Sequence, residues 1–313
     1  MGSFRAEQVR TRGHEAVVAS RAPERGRVLV EVLEESDLDA AIVSNATQHH
    51  AACVAACIER GLPVLCEKPL ALTLRETREL LDLVEAAGGT LQVSFQRRFD
   101  PGFAAARTAV ENGSLGTLYV IRLNSHDHEP SPEEYIPTSG GIFRDLHVHD
   151  FDIARWLTGG QVMEVYTAIT VRKWERFAHH GDADTAAVLM TMSDELPVLL
   201  SGTRHGPHGY DFRAELFGSD DSVAVGLGPR TPIHSLEPDG PRLPESPWRG
   251  FLDRFGAAFE AEFDAWLQVV MGERQNPCPG EESLEALRVA IACERSAREA
   301  RPVHIEEVSD AAE

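Results

Sequence analysis

Leu62-Pro63-Val64-Leu65-Cys66-Glu67-Lys68-Pro69 is the stretch whose reading decides the fold. It carries no polar side chain before Glu67, so it reads as a short strand buried on both faces. Gly61 stops a helix expected over 48–60, and Pro69 closes the strand before a second helix, expected over 73–87 and ended by Gly88-Gly89. The same unit recurs on either side. Asp39-Ala40-Ala41-Ile42-Val43 and Thr90-Leu91-Gln92-Val93-Ser94-Phe95 read as strands, and so does Glu15-Ala16-Val17-Val18-Ala19, between helices over 3–13 and 23–35. Strand and helix alternating through short links predict a parallel sheet covered on both faces. Right-handed crossovers then bring the carboxyl ends of the strands, at residues 20, 44, 67 and 96, to one edge. In open α/β sheets that edge binds ligands.

Beyond a helix over 101–112 the pattern changes. Residues 118–124, 162–171, 185–192, 197–203 and 213–217 alternate as half-buried strands do. They predict a mostly antiparallel sheet with helix on one face. Residues 227–248, rich in Pro and Gly, read as a surface excursion, and 251–271 and 281–299 as long helices. The expectation is an α/β chain of two domains. Residues 1–117 form a doubly wound parallel sheet, and residues 118–313 a second α/β domain with an open, mostly antiparallel sheet.

The 313 residues carry a formal net charge of −20, spread along the chain. That argues against a nucleic-acid partner, whose phosphates need Lys and Arg. No apolar run approaches the roughly 20 residues of a membrane span, and the N-terminus does not read as a signal peptide. The expectation is a cytoplasmic protein with no membrane partner. Cysteines at 53, 57, 66, 278 and 293 make no CxxC pair, and Cys53 and Cys57 share a helical face as buried thiols.

A dinucleotide-binding (Rossmann) domain opens on a strand and a Gly-rich turn. Here Met1-Gly2-Ser3-Phe4 leads straight into the helix over 3–13. Gly2 stands as the third glycine of GxGxxG, while the first strand and two earlier glycines are missing. In the order 3-2-1-4-5-6 that strand is central. Either the start is assigned too far downstream or the copy is damaged; the first is the reading adopted. The tip of the second strand separates the cofactors. A carboxylate there would accept from the ribose 2′-OH of NAD, whereas a 2′-phosphate wants cations and hydroxyls. Ser20-Arg21, with Arg25 and Arg27 nearby and no acid, favour NADP over NAD.

A second segment is dense in ionisable groups: Gly140-Gly141-Ile142-Phe143-Arg144-Asp145-Leu146-His147-Val148-His149-Asp150-Phe151-Asp152. Its apolar residues suit the buried stripe of a helix. In a helix Asp145 and His149, four apart, share one face. An imidazole beside a carboxylate is a proton-transfer pair, because the carboxylate fixes the ring and tunes it. The alternative is an amphipathic helix with a structural histidine. Lys68, at a strand end and before a Pro whose bond could be cis, supplies a cation on the ligand edge.

With these residues in view, the chain resembles the Gfo/Idh/MocA family of NAD(P)-dependent oxidoreductases from residue 2 to about 305. The resemblance rests on Asn45-Ala46-Thr47-Gln48-His49-His50, Cys66-Glu67-Lys68-Pro69-Leu70-Ala71, Val93-Ser94-Phe95-Gln96-Arg97-Arg98-Phe99-Asp100 and the Gly140 segment. Gln96–Asp100, Ser139–Asp145, His149–Asp152 and Gly209-Tyr210-Asp211-Phe212-Arg213-Ala214-Glu215 resemble the inositol 2-dehydrogenase branch. The resemblance implies a Rossmann domain, and a C-terminal α/β domain whose open sheet makes a homo-oligomer contact, dimer or tetramer. It implies that Lys68, Asp145 and His149 are catalytic, with His149 the base in oxidation. It places Asn45, Thr47, Glu67 and Gln96 at cofactor positions, which join Gly2, Ser20 and Arg21 from the dinucleotide motif. Tyr210, with Asp127 or His128, falls at substrate positions. The chain departs from the family in lacking the GxG and in Ala46, Gln96 and His147.

The reaction implied is hydride transfer between a polyol or sugar hydroxyl, inositol-like, and nicotinamide. A polyol C–H has no acidic proton, so hydride leaves as the O–H is deprotonated, which needs a base and a cation for the developing alkoxide. His149 and Lys68 fill these roles, with Asp145 orienting His149. Many substrate hydroxyls need many partners, and Arg97, Asp127, His128, Asp152 and Tyr210 are candidates. For Arg97 and Asp152 a scaffold ion pair is the stronger reading. One rival is a metal-dependent sugar isomerase or hydrolase using His126-Asp127-His128 and His147-Val148-His149. Two such i,i+2 pairs cannot both point one way on a helix, and no metal is expected. Another rival is a cofactor-binding regulatory or inactive homologue, prompted by the incomplete dinucleotide motif.

Overall fold

The computed structural model describes residues 1–20, 27–35 and 37–309. The chain divides into two compact units. Met1–Phe95 and Glu260–Leu284 form the first, and Gln96–Phe259 with the described chain over 285–309 the second. The division is not a single cut near residue 117, because residues 96–117 join the second unit and 260–284 return to the first. Packing explains the return: Phe263 and Trp266 are buried with Leu65, under Val9, Ile42 and Leu267. An amphipathic pattern marks a face as apolar without naming the core it will join.

In the first unit α1 (Gly2–Thr11), α2 (Leu29–Glu35), β1 (Ala41–Val43), α3 (His50–Ile58), β2 (Val64–Glu67), α4 (Leu74–Ala86) and β3 (Leu91–Ser94) follow in order. The strands pair in parallel as β1-β2-β3. Val64, Leu65 and Cys66 are wholly buried, as an apolar run between two helical layers requires. Thr73 caps α4 by accepting from Glu76 N at 3.2 Å. The register pairs Val43 with Cys66, and Glu67 with Ser94. The strands therefore end close to one line, with Ser44-Asn45 and Lys68 just beyond it.

The strand expected over 15–19 does not form a ladder. Among the described residues it meets other backbone only at the Ala19–Arg27 bridge, and Val17 and Val18 are exposed. A strand needs a partner along its edge, and no described strand lies beside this one. The helix expected over 23–35 is described only as Leu29–Glu35. Arg21 and Arg25 lie outside the described residues.

In the second unit α5 (Pro101–Glu111) starts at Asp100, whose Oδ1 accepts from Gly102 N and Phe103 N. Then come β4 (Leu118–His126), α6 (Ile136–Ser139), α7 (Val148–Thr158), β5 (Val162–Thr170), α8 (Glu175–His179), β6 (Thr185–Met192), β7 (Pro197–Thr203), β8 (Asp211–Gly218) and β9 (Ser222–Val225). The long helices α9 (Phe251–Val270), kinked at Phe255, and α10 (Gly280–Glu299) precede β10 (Val303–His304). The sheet runs β10-β5-β6-β7-β4-β8-β9, antiparallel except where β4 meets β7. Neither β9 nor β10 was legible as a strand in the sequence: one is short and the other has two residues. One face is core, with Ile121, Val165, Val188, Met190, Val198 and Leu216 buried. On the other, Tyr166, Leu189 and Leu199 stand opposite one another across β5, β6 and β7 and remain exposed.

Candidate functional site

In the first unit the candidate groups lie at the carboxyl edge of the sheet. Lys68 follows β2 directly, half-buried, and its bond to Pro69 is cis. His50, at the start of α3, sits between the two strand-end loops: Nδ1 lies 2.8 Å from Pro69 O and Nε2 3.1 Å from Asn45 O. Burial pulls its pKa down, ahead of the two carbonyls and Glu67, which act the other way. The expected cofactor residues Asn45 and Thr47 are accessible, and Asn45 Nδ2 reaches Cys53 Sγ at 3.3 Å.

Glu67 belongs to a buried network. Arg5 Nη2 donates to Glu67 Oε1 at 2.8 Å, to Ser94 Oγ at 2.6 Å and to Glu262 Oε2 at 2.7 Å. Ser94 Oγ donates to the same Glu262 oxygen at 2.8 Å. Glu262 Oε1 is buried without a hydrogen-bond partner, and burial pushes this carboxyl up to about 7 against the pull of Arg5. Neither Arg5 nor Glu262 stood out in the sequence, because each is one of several charges on its helix and the two partners lie 257 residues apart.

At the start of α1, Gly2 has only Ser44 Oγ near the place of a Cβ, at 3.5 Å, and no side chain caps the helix. Its leading N–H groups therefore suit a phosphate. With Asn45, Thr47 and Lys68 at the strand ends, the residues present fit a nicotinamide dinucleotide. Ser20 N is engaged with Arg27 O at 2.7 Å.

In the second unit the ionisable segment is not one regular helix. Gly140 and Gly141, at φ of 83° and 82°, take a left-handed turn that other residues resist. Phe143–His147 then forms a wide π turn before α7 begins at Val148. A π turn holds more residues per turn than an α-helix, so the four-residue spacing alone does not carry the Asp145–His149 relationship. The carboxylate of Asp145 accepts from Tyr135 OH at 2.9 Å and from Arg204 Nη1 at 2.7 Å. Arg204, 2% exposed just after β7, also faces Asp182 at 3.7 Å and Asp127 at 4.0 Å. Burial opposes its charge, but Asp145, Asp182 and Asp127 hold its pKa above the ordinary value. Asp127 and Asp145, both expected at the site, are thus brought around one guanidinium that the sequence reading missed. A charge directly after an alternating strand was the available signal for Arg204. Tyr135, in an irregular stretch, left none.

Several expected substrate contacts are otherwise engaged. Arg97, 3% exposed, donates to Asp150 Oδ1 at 2.5 Å and lies over the Phe212 ring at 4.7 Å. Asp152, 1% exposed, receives both Nε and Nη2 of Arg98. Both are held in buried ion pairs, in keeping with the scaffold role that is the stronger reading for them in the sequence. Tyr210 is 8% exposed and stacks on Phe212 with ring centroids 3.9 Å apart. His128 is held by Gly206 O at 3.2 Å and Arg249 at 3.1 Å. Gln96 is buried in the turn Gln96–Phe99 that opens the second unit.

His147 is wholly buried. Its Nδ1 meets Asp150 Oδ2 at 2.9 Å, while Asp150 Oδ1 accepts from Ser125 Oγ at 2.7 Å. Burial pushes the Asp150 carboxyl up, but Arg97, His147 and Ser125 together hold it below the usual range. Among the described residues no group of His, Cys, Asp or Glu is placed to hold a metal ion.

A parallel sheet with polar groups at its carboxyl edge and a glycine-led helix defines a dinucleotide-binding protein. Residues 2–95 match the family model of oxidoreductases with an NAD-binding Rossmann fold, and residues 103–224 match that of the GFO/IDH/MocA C-terminal domain. A myo-inositol dehydrogenase of Streptomyces leeuwenhoekii is 40% identical over 83% of this chain and 78% of its own length. A myo-inositol 2-dehydrogenase of Thermotoga maritima is 34% identical over 89% of this chain and 83% of its own. The solved myo-inositol dehydrogenase of Corynebacterium glutamicum superposes with a TM-score of 0.86 at 29% identity, over 97% of this chain and 95% of that one. The chain belongs to the Gfo/Idh/MocA family of nicotinamide-dependent oxidoreductases.

Proposed function

We propose that the chain oxidises one hydroxyl of a cyclitol such as myo- or scyllo-inositol, reversibly, with Lys68, Asp145 and His149 as its catalytic residues. The observation that carries this reading is Asp145, held by both oxygens, on the segment that bears His149. His149 takes the hydroxyl proton during oxidation and returns it during reduction. Lys68 stabilises the negative charge developing on that oxygen. Asp145 acts on His149 as a fixed negative charge. When bound, the nicotinamide takes up the hydride. Gly2, Ser20, Asn45, Thr47, Glu67 and Gln96 are proposed to contact the cofactor, with Arg21 beside the ribose. Asp127, His128 and Tyr210 are the groups proposed nearest the substrate.

NADP is the proposed cofactor of choice, on the hydroxyl of Ser20 and the cations at 21, 25 and 27. The open sheet supports a homo-oligomer: Tyr166, Leu189 and Leu199 make an apolar strip flanked by Arg122 and Glu215, in register across five strands. The proposed location is the cytoplasm. All five cysteines are free, four of them buried, as suits a reducing compartment. Among the described residues no helix is long and apolar enough to cross a membrane.

Initial rates with myo-inositol, scyllo-inositol and a set of aldoses, each with NAD and with NADP, test the reading. Reduction of cofactor by an inositol, with the higher kcat/KM for NADP, is expected. Cofactor binding without turnover of any polyol overturns it in favour of a regulatory or inactive homologue.

A further inference from the structure

Arg204 is a buried cation that serves carboxylates from three separate elements. Asp145 comes from the π turn, Asp127 from the end of β4 and Asp182 from the turn before β6. Asp182 in turn accepts from Ile142 N at 2.9 Å, which pins the entry to that turn. Beneath the guanidinium lies the Phe177 ring, 6.0 Å from its carbon. Three acids around one cation repel one another, so the arrangement persists only while Arg204 is there. Its strongest contact goes to Asp145, at 2.7 Å. The second oxygen of Asp145 takes the Tyr135 hydroxyl at 2.9 Å. Burial and then the Asp145 charge push the Tyr135 phenol well above its ordinary pKa, so it stays a donor.

We propose that Arg204 and Tyr135 are positioning residues for the oxidoreductase reaction: they fix Asp145 by its two oxygens, one each, and so set the orientation and basicity of His149. The proposal rests on the reading that Asp145 and His149 carry the proton transfer. Among the contacts described, Tyr135 ahead of α6 and Arg204 stand on Asp145, Asp127 and Asp182 share the Arg204 guanidinium, and His149 follows on α7. Arg204 places a positive charge 2.7 Å from the Asp145 carboxylate. Removing that charge stabilises the protonated imidazole of a nearby histidine, so His149 must give up its proton at higher pH before it can act as base.

The test compares Arg204→Gln, Arg204→Lys, Tyr135→Phe and His149→Ala in the full chain, with myo-inositol as substrate. Three quantities are read: kcat and KM, the acidic limb of the kcat–pH profile, and the titration of the His149 ring by NMR. Arg204→Gln is expected to lower kcat about 100-fold with KM within a few-fold, as misorientation does. It should also raise the acidic limb and the His149 titration by about one pH unit. Arg204→Lys, keeping the charge but not the planar fork, restores the limb while kcat recovers only in part. Tyr135→Phe, which keeps the ring and so the fold, lowers kcat about tenfold with little movement of the limb. Should Arg204→Gln fail to fold, Tyr135→Phe and Arg204→Lys still decide. Folded variants with wild-type kcat, limb and ring titration overturn the positioning role. Wild-type turnover in His149→Ala overturns instead the reading on which it rests, and the NMR titration reports on Arg204 in either case.

Discussion

Arg5 and Glu262, 257 residues apart in sequence, meet at 2.7 Å in the first unit, at 2% and 0% side-chain exposure. The pair ties α1 to α9, and Arg5 carries the tie on to Glu67 at the end of β2. The carboxyl is nevertheless not fully matched, because Glu262 Oε1 has no partner and burial outweighs the pull of Arg5. The folded protein holds this proton to about pH 7, whereas the ordinary carboxyl releases it near 4.5. Between those values the folded state is protonated where the unfolded chain is not. Stability from this group is therefore full below about 4.5 and falls as pH rises towards 7, by something on the order of 3 kcal/mol. Unfolding measured from pH 4.5 to 8 should show Glu262→Gln losing less stability over that interval than the parent; parallel curves would remove Glu262 from the account.

Lys68→Ala and His149→Ala are expected to lower kcat by about two to four orders of magnitude. Cofactor affinity, followed by the fluorescence of the reduced nicotinamide, should change little for His149→Ala. If both variants turn over at the parent rate, the proposed chemistry is wrong.

Gly202 of β7 is close-packed against His147: a Cβ there would lie 2.0 Å from its Cε1 and 2.4 Å from its Nε2. The ring is wedged against the sheet by its bond to Asp150 and has no room to yield. Gly202→Ala should cost about 1–3 kcal/mol of stability, the range of overpacking. The double variant with His147→Ala should recover part of that loss, which a thermal-unfolding cycle measures.

Asp152→Ala leaves Arg98 charged and buried without its fork of acceptors. A loss of about 3–5 kcal/mol is expected. The preference among inositols should be unchanged in the folded fraction. A stable variant with altered preference would return Asp152 to the substrate contacts.

Leu189→Glu places a carboxylate in the centre of the exposed strip, between Tyr166 and Leu199. Sedimentation should show the parent as an oligomer and this variant shifted towards monomer. The same assembly state in both would move the contact elsewhere.

Much of the fold was legible because its signals are local. The β2 run is apolar without interruption, Gly61 turns at φ +75°, and Thr73 and Asp100 cap the helices they precede. The five strands of the second sheet that alternate strictly were all readable. The segment 15–19 has the composition of a strand but not its ladder, since pairing depends on a neighbour rather than on composition. Lys68, Asp145 and His149 could be named as candidates from residue type and family resemblance, although the π turn means that helical spacing does not pair Asp145 with His149. For Arg97 and Asp152 the sequence already leaned towards a scaffold ion pair, but the partners, Asp150 and Arg98, are seen only in the structure.

The sequence by itself determined most of the order of strands and helices and the two kinds of sheet, and it named candidates for proton transfer, because periodicity, capping and side-chain chemistry are properties of neighbours along the chain. Only the tertiary structure decided which charges meet. Arg204 reaches Asp145 from 59 residues away and Arg5 reaches Glu262 from 257. A charge in the chain has no partner until folding removes water from both, and it is that desolvation, with the geometry of the contact, that separates a group poised for chemistry from one locked into the scaffold.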